Sequence, residues 1–131
     1  MEVQIERAVL SSIFFDPEQL DNVAEILSPE DFLYTPNQNI FAAMLELRKL
    51  DMPIDEEFIL KKSTKYRPIS QEDILKILVT NPITDLNSYI NEIKESSTKR
   101  KLHSMEMKIN ESSDEAHHTV KDIIRYINIE L

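Results

Sequence analysis

The stretch that decides the fold is residues 16–36, which read DPEQLDNVAEILSPEDFLYTP. Each of its three prolines follows a residue that can cap a helix, and proline is well tolerated in the first helical turn, where its missing N–H needs no partner. Asp16 and Ser28 are each followed three residues later by an amide or acidic side chain, as in a capping box. The stretch therefore predicts a helix that starts at Asp16-Pro17, a helical turn that ends at Phe32, and a helix that opens at Thr35-Pro36.

The same signals continue outward from this stretch. Apolar residues recur at helical spacing over residues 2–14, and the helix opened at Thr35 carries its own apolar side. Acidic or hydroxyl caps at Asp55 and Ser70 precede two more apolar segments. We therefore predict a compact head of about six short helices over residues 1–84.

The pattern changes after Asn81-Pro82, because no proline follows. Two longer helices are predicted at about 86–110 and 113–131, with a capping box at Ser112–Glu115 between them. Such a short connection favours an antiparallel hairpin over residues 85–131. The predicted fold class is all-α, a compact head followed by a helical hairpin in one structural unit.

The composition excludes several classes of function. The chain of 131 residues has no glycine, where roughly nine would be usual. Walker A and dinucleotide-binding loops need glycine, so neither is present, and tight β-hairpins are disfavoured. We suspect a helical piece of a longer protein. Cysteine is absent, which fits a reducing cytoplasm, and no apolar run approaches the roughly 20 residues of a membrane span.

The charge argues against direct nucleic-acid binding. The net charge is −9, whereas a duplex-binding domain needs a basic face. Basic clusters at 61–67 and 99–101 are interpreted as solvated helix ends or faces.

The histidines and acidic clusters do not form a catalytic or metal-binding pattern. His117 and His118 point about 100° apart on a helix and cannot hold one metal together. His118 lies four residues from both Asp114 and Asp122, but a solvated histidine is the preferred interpretation. Acidic clusters fall in first helical turns, where they complement the helix dipole. We therefore predict no catalytic, cofactor-binding or metal-binding residue.

The apolar residues of the hairpin predict an assembly surface. Leu86, Ile90 and Ile93 form one stripe, which should pack on the head, and a second stripe begins at Leu102, rotated by about 130°. This second stripe should pack on the returning helix or on another chain. The returning helix is itself more apolar than one partner can cover. We predict dimerisation through Leu102, Met105, Ile109, Val120, Ile123, Tyr126 and Ile127.

An ordered series of stretches resembles the N-terminal domain of bacterial replicative helicases of the DnaB type. The series comprises ERAVLSSI at 6–13 with Asp16-Pro17, LDNVAEILSPEDF at 20–32, IFAAMLEL at 40–47, Pro53-Ile54-Asp55, Asn81-Pro82, and Tyr89 with Ile93 and Arg100. The resemblance covers nearly the whole chain and is weakest over 61–80 and 110–131. The Gly-rich stretch of many members is replaced here by Tyr66-Arg67-Pro68-Ile69.

The resemblance implies a function in assembly. In such helicases the hairpins pair into dimers, and three dimers form a collar on the hexameric motor ring. The collar docks the C-terminal domain of primase. Here we predict that the elbow and outward face of the hairpin, His103, Met107, Asn110 and Glu111, contact it. ATP and Mg belong to the downstream motor domain, DNA is contacted only through the parent ring, and the setting is the bacterial cytoplasm, with no membrane partner.

Three alternatives stay open at this point. A primase's helicase-binding domain has a similar outline and would exchange the partner roles. An unrelated helical adaptor module would share the hairpin. A small helical hydrolase would need a catalytic centre that the residues do not provide.

Overall fold

The computed structural model describes residues 2–110, and its regular secondary structure over that range is entirely helical. The all-α prediction is therefore confirmed for these residues. The elements in chain order are α1 (Glu2–Phe15), α2 (Gln19–Ala24), a 3₁₀ turn (Pro29–Asp31), α3 (Thr35–Lys49), α4 (Glu56–Lys61), α5 (Gln71–Leu78) and α6 (Leu86–Asn110). The predicted returning helix, 113–131, lies outside the described residues.

Two predicted caps, Asp55 and Ser70, form side-chain hydrogen bonds, whereas α3 begins at Thr35 after Tyr34 with no side-chain cap bond. The Asp55 carboxylate accepts from the Phe58 N–H at 2.9 Å, at the start of α4. The Ser70 hydroxyl oxygen accepts from the Asp73 N–H at 3.1 Å, at the start of α5. These bonds satisfy donors that the first helical turn leaves open, so local sequence sets where each helix begins.

The start of α2 differs from the prediction. Asp16 accepts from the Glu18 N–H at 3.3 Å and from the Gln19 side-chain amide at 3.2 Å, as the capping pattern implied. Pro17 and Glu18 nevertheless form a turn, and the regular helix begins at Gln19. The Gln19 N–H also donates to the Asp16 carbonyl at 2.9 Å, so backbone and side-chain bonds together close a turn before the helix begins.

The end of α3 shows how a chain without glycine terminates a helix. Asp51 has φ of 56°, the left-handed conformation usually given to glycine. The Met52 N–H donates to the Leu47 carbonyl at 2.9 Å, and the Asp51 N–H donates to the Arg48 carbonyl at 3.1 Å. This pair of bonds is a Schellman motif, with aspartate in the place of glycine.

One hydrophobic core joins α1, α3, α5 and the first turns of α6. Leu86, Ile90 and Ile93 are all buried in it, which confirms that the first half of α6 packs on the head. The rings of Phe32 and Phe41 lie 5.1 Å apart at an angle of 43°, and both side chains are fully buried. The largest buried side chains of the core are Phe32, Phe41, Leu10, Ile13, Leu20, Ile40, Met44, Leu47, Ile59, Ile74, Ile77 and Ile90.

Contacts divide the chain into two compact units, residues 1–95 and 96–131. The first unit holds α1 to α5 and the opening turns of α6. In the second unit the described part is the remainder of α6, up to Asn110. Within residues 2–110, no helix has the length and apolarity that crossing a bilayer requires.

Candidate partner-binding surface

A buried carboxylate fixes α1 to the start of α3. Glu6 is fully buried and accepts hydrogen bonds from the Leu33 N–H at 2.7 Å, the Tyr34 N–H at 3.4 Å and the Asn37 side-chain amide at 2.8 Å. Burial raises the pKa of Glu6 above its usual value, and the hydrogen bonds from Asn37, Leu33 and Tyr34 oppose that rise. The position is structural, because every bond it makes orders the surrounding backbone or its own neighbours.

A second buried carboxylate reaches α6. Asp31 is fully buried and accepts from the Ser28 N–H at 2.8 Å and the Ser28 hydroxyl at 3.1 Å. Lys94 of α6 places its ammonium 3.4 Å from the same carboxylate. The lysine side chain is 43% exposed, so water weakens this ion pair, and its main effect is to fix the position of α6 against the 3₁₀ turn.

The segment that leads into α6 is held against α1 by two serines. The Ser11 hydroxyl donates to the Thr80 carbonyl. The Ser12 hydroxyl donates to the Ala8 carbonyl at 2.8 Å and accepts from the Ile83 N–H at 3.0 Å. Both serines are buried, and their bonds satisfy backbone groups that would otherwise be costly to bury.

Part of the predicted dimer stripe lies on the described part of α6. Leu102 is buried at 9% exposure, Met105 is 45% exposed and Ile109 is partly buried. The remaining predicted residues, Val120, Ile123, Tyr126 and Ile127, lie outside the described residues. No finding tests the assignment, which stays a prediction.

The predicted primase surface is placed only in part. His103 is exposed and Met107 is 57% exposed, one helical turn apart on the same side of α6. Asn110 is the last residue of α6, and Glu111 lies outside the described residues. At about 100° per residue, Met105 points about 160° away from both His103 and Met107, so the helix presents two separate surfaces.

The acidic side chains of residues 2–110 form no metal-binding group, and the two that are fully buried are bound within the fold. Among residues 2–110, no group of three or more histidine, cysteine, aspartate or glutamate side chains is placed to hold a metal ion. The two fully buried carboxylates, Glu6 and Asp31, are both occupied by backbone and side-chain donors. The described helices expose several large apolar side chains at their surface, including Met105 and Met107 on α6.

Sequence reasoning missed one surface, on the head. The sequence predicts an apolar segment in α5, and two of its residues, Ile74 and Ile77, are fully buried. Leu75, Leu78 and Val79 are 47%, 41% and 80% exposed. The sequence signal was present, because five apolar residues within 74–79 exceed what one side of a short helix can bury.

The fold and these surfaces define a small helical domain with exposed apolar side chains on its head and on α6. The chain belongs to the DnaB-like helicase N-terminal domain family, whose model matches residues 1–95. This membership overturns the alternatives of a primase's helicase-binding domain, an unrelated adaptor and a helical hydrolase.

Individual relatives agree with the family. The chain is 38% identical over 127 residues, 97% of its length, to the replicative DNA helicase DnaB of Helicobacter pylori. It spans 26% of that helicase. The chain therefore corresponds to the N-terminal domain of such a helicase.

Two solved structures resemble the chain. The N-terminal domain of DnaB helicase from H. pylori, described together with its interactions with primase, gives a TM-score of 0.79 at 41% identity, over 82% of this chain and 88% of that one. The N-terminal domain of DnaB helicase from Mycobacterium tuberculosis gives a TM-score of 0.73 at 18% identity. The match covers 91% of this chain and 92% of that one. At that identity the second match shows the fold alone.

Proposed function

We propose that this chain is the non-catalytic N-terminal domain of a bacterial replicative DNA helicase and that it docks the C-terminal domain of primase. The observation that carries the proposal is the match to the H. pylori domain, a protein that interacts with primase. The parent protein would unwind DNA in the cytoplasm, with ATP and Mg bound in a downstream motor domain.

The assembly part of the proposal is dimerisation through the hairpin, with three dimers forming the collar of a hexameric ring. Leu102, Met105 and Ile109 are the described residues of this proposed contact, and Met105 and Ile109 leave apolar area at the surface. Exposed apolar area of this kind is characteristic of interfaces. DNA would meet the chain only through the parent ring, in keeping with its net charge of −9.

The primase part uses the other side of α6. His103 and Met107 lie one turn apart and are both exposed. Methionine suits an interface because its flexible thioether adapts to irregular partner surfaces. Primase bound there would be held close to the DNA at the ring, which raises its effective concentration.

Replacing Met107 with glutamate should weaken primase binding at least about tenfold, because a charge would be buried at an apolar contact. The measurement is isothermal titration of the full chain with the cognate primase C-terminal domain. Tyr66→Glu is the matched control, since Tyr66 is 87% exposed on the head and should leave the affinity unchanged. A wild-type chain that does not bind would contradict the proposed function. Equal affinity of the Met107→Glu variant and the wild type would contradict the assigned surface.

A further inference from the structure

A groove runs along one side of α1, where this helix faces residues 76–89. Two adjoining cavities form it, and Ile83 lines both. The first has a volume of about 550 Å³ and begins beside Gln4, and the second has about 190 Å³ and ends beside Phe15 and Gln19. The helix rises about 16 Å from Gln4 to Phe15, which is the length of about five residues of extended chain.

The first cavity is positively charged on an acidic protein. Arg7 and Lys76 line it, and none of its lining residues carries a carboxylate. Arg7 makes no ion pair with any residue in the range 2–110. The Lys76 ammonium lies 3.5 Å from a carboxylate oxygen of Glu72. These side chains are 48% and 79% exposed, so water weakens their attraction. Both cations also border a smaller cavity that contains Asp73.

Each cavity also presents an exposed apolar side chain. Val79 in the first is 80% exposed, and Phe15 in the second is 79% exposed. Each lies two residues after a fully buried isoleucine, Ile77 before Val79 and Ile13 before Phe15, yet is itself left at the surface. Large apolar side chains beside a concave surface are typical of a binding site.

The charges give the groove a direction. Asp16 lines the second cavity, so a second anionic group is disfavoured there, whereas the Arg7 and Lys76 end attracts one. A nucleic acid carries a negative charge along its whole length and would meet Asp16. A peptide with acidic residues followed by apolar residues would place its acidic part at the Arg7 and Lys76 end and its apolar part at the Phe15 end.

We propose that this groove binds an extended peptide segment of a partner protein, with acidic residues against Arg7 and Lys76 and apolar residues over Val79 and Phe15. The proposal goes beyond docking through α6 and does not depend on it. It gives the head a binding site of its own, which recognises charge at one end and apolar side chains at the other.

The test uses the full chain and a fluorescein-labelled peptide of about ten residues, with glutamates in its first half and leucine and phenylalanine in its second. Fluorescence anisotropy should show saturable binding. The double variant Arg7→Gln, Lys76→Gln should bind at least about tenfold more weakly, because two charge-assisted contacts are lost. The matched control is Lys65→Gln with Arg67→Gln, two exposed cations of the loop before α5, and it should bind within about twofold of wild type.

Val79→Ser provides an independent variant, because a side chain that is 80% exposed can be replaced without unfolding the helix. It should also weaken binding. Absence of binding by the wild-type chain, an equal loss in the control pair, or tighter binding of single-stranded oligothymidylate than of the peptide would each overturn the proposal. Self-association of the wild-type chain that the Arg7 and Lys76 variant abolishes would assign the groove to a second copy, and so would overturn it as well.

Discussion

Replacing Phe41 with alanine should lower the free energy of unfolding by about 3–5 kcal/mol. Phe41 is fully buried at the centre of the head, and its ring packs against that of Phe32 at a centroid distance of 5.1 Å. The loss combines the transfer energy of the ring, the cavity left behind, and the contact between the two aromatic rings. Because domains of this size are stable by only about 5–15 kcal/mol, this single change removes a large share of the total.

Chemical denaturation followed by circular dichroism measures this loss. Tyr66→Ala is the control, since removal of an aromatic ring that is 87% exposed should change stability by less than about 0.5 kcal/mol. A loss below about 1 kcal/mol for Phe41→Ala would show that the ring is not packed as described.

Replacing Glu6 with alanine should cost about 3 kcal/mol, because three donors lose their acceptor at a buried position. The Leu33 N–H, the Tyr34 N–H and the Asn37 amide all point to this carboxylate. Glu25→Ala, at an exposed position after α2, is the control and should be nearly neutral. A neutral Glu6→Ala variant would contradict the proposed anchoring of α1 to α3.

The contribution of Glu6 to the free energy of unfolding should also depend on pH. Burial raises its pKa in the folded state, so protonation favours folding. Its contribution is fully present below the unfolded pKa and is lost as the pH rises through the folded pKa. Glu6→Gln removes this titration. The stability deficit of Glu6→Gln relative to wild type should therefore be larger at about pH 4 than at about pH 7. Denaturation midpoints at the two pH values measure it, and a deficit that grows with pH would contradict the sign.

The helices of the head were predictable because their start signals are local. Asp55 and Ser70 cap α4 and α5 with bonds that span three residues, which a single sequence displays directly. The exception is α2, where the capping residue was identified but its bonds close a turn, and the regular helix starts only at Gln19. Side-chain type alone does not distinguish a capped helix from a closed turn.

The contacts that position surfaces were not predictable, because they join distant residues. Glu6 meets Leu33, which lies 27 residues later, and Lys94 meets Asp31 across 63 residues. One signal for Glu6 existed, since it lies three and four residues before the buried Val9 and Leu10, on the apolar side of α1. The groove beside α1 had no comparable signal. One of its walls is the segment whose Thr80 carbonyl and Ile83 N–H are bound by Ser11 and Ser12, about 70 residues earlier in the chain.

We propose that the hairpin predicted over 85–131 joins this chain to others, because its sequence carries more apolar residues than one copy is expected to cover. Sedimentation equilibrium of the full chain at roughly tens of micromolar tests it most directly. We expect a reversible dimer, with a mass twice that of the chain. A strict monomer over the whole concentration range would contradict it.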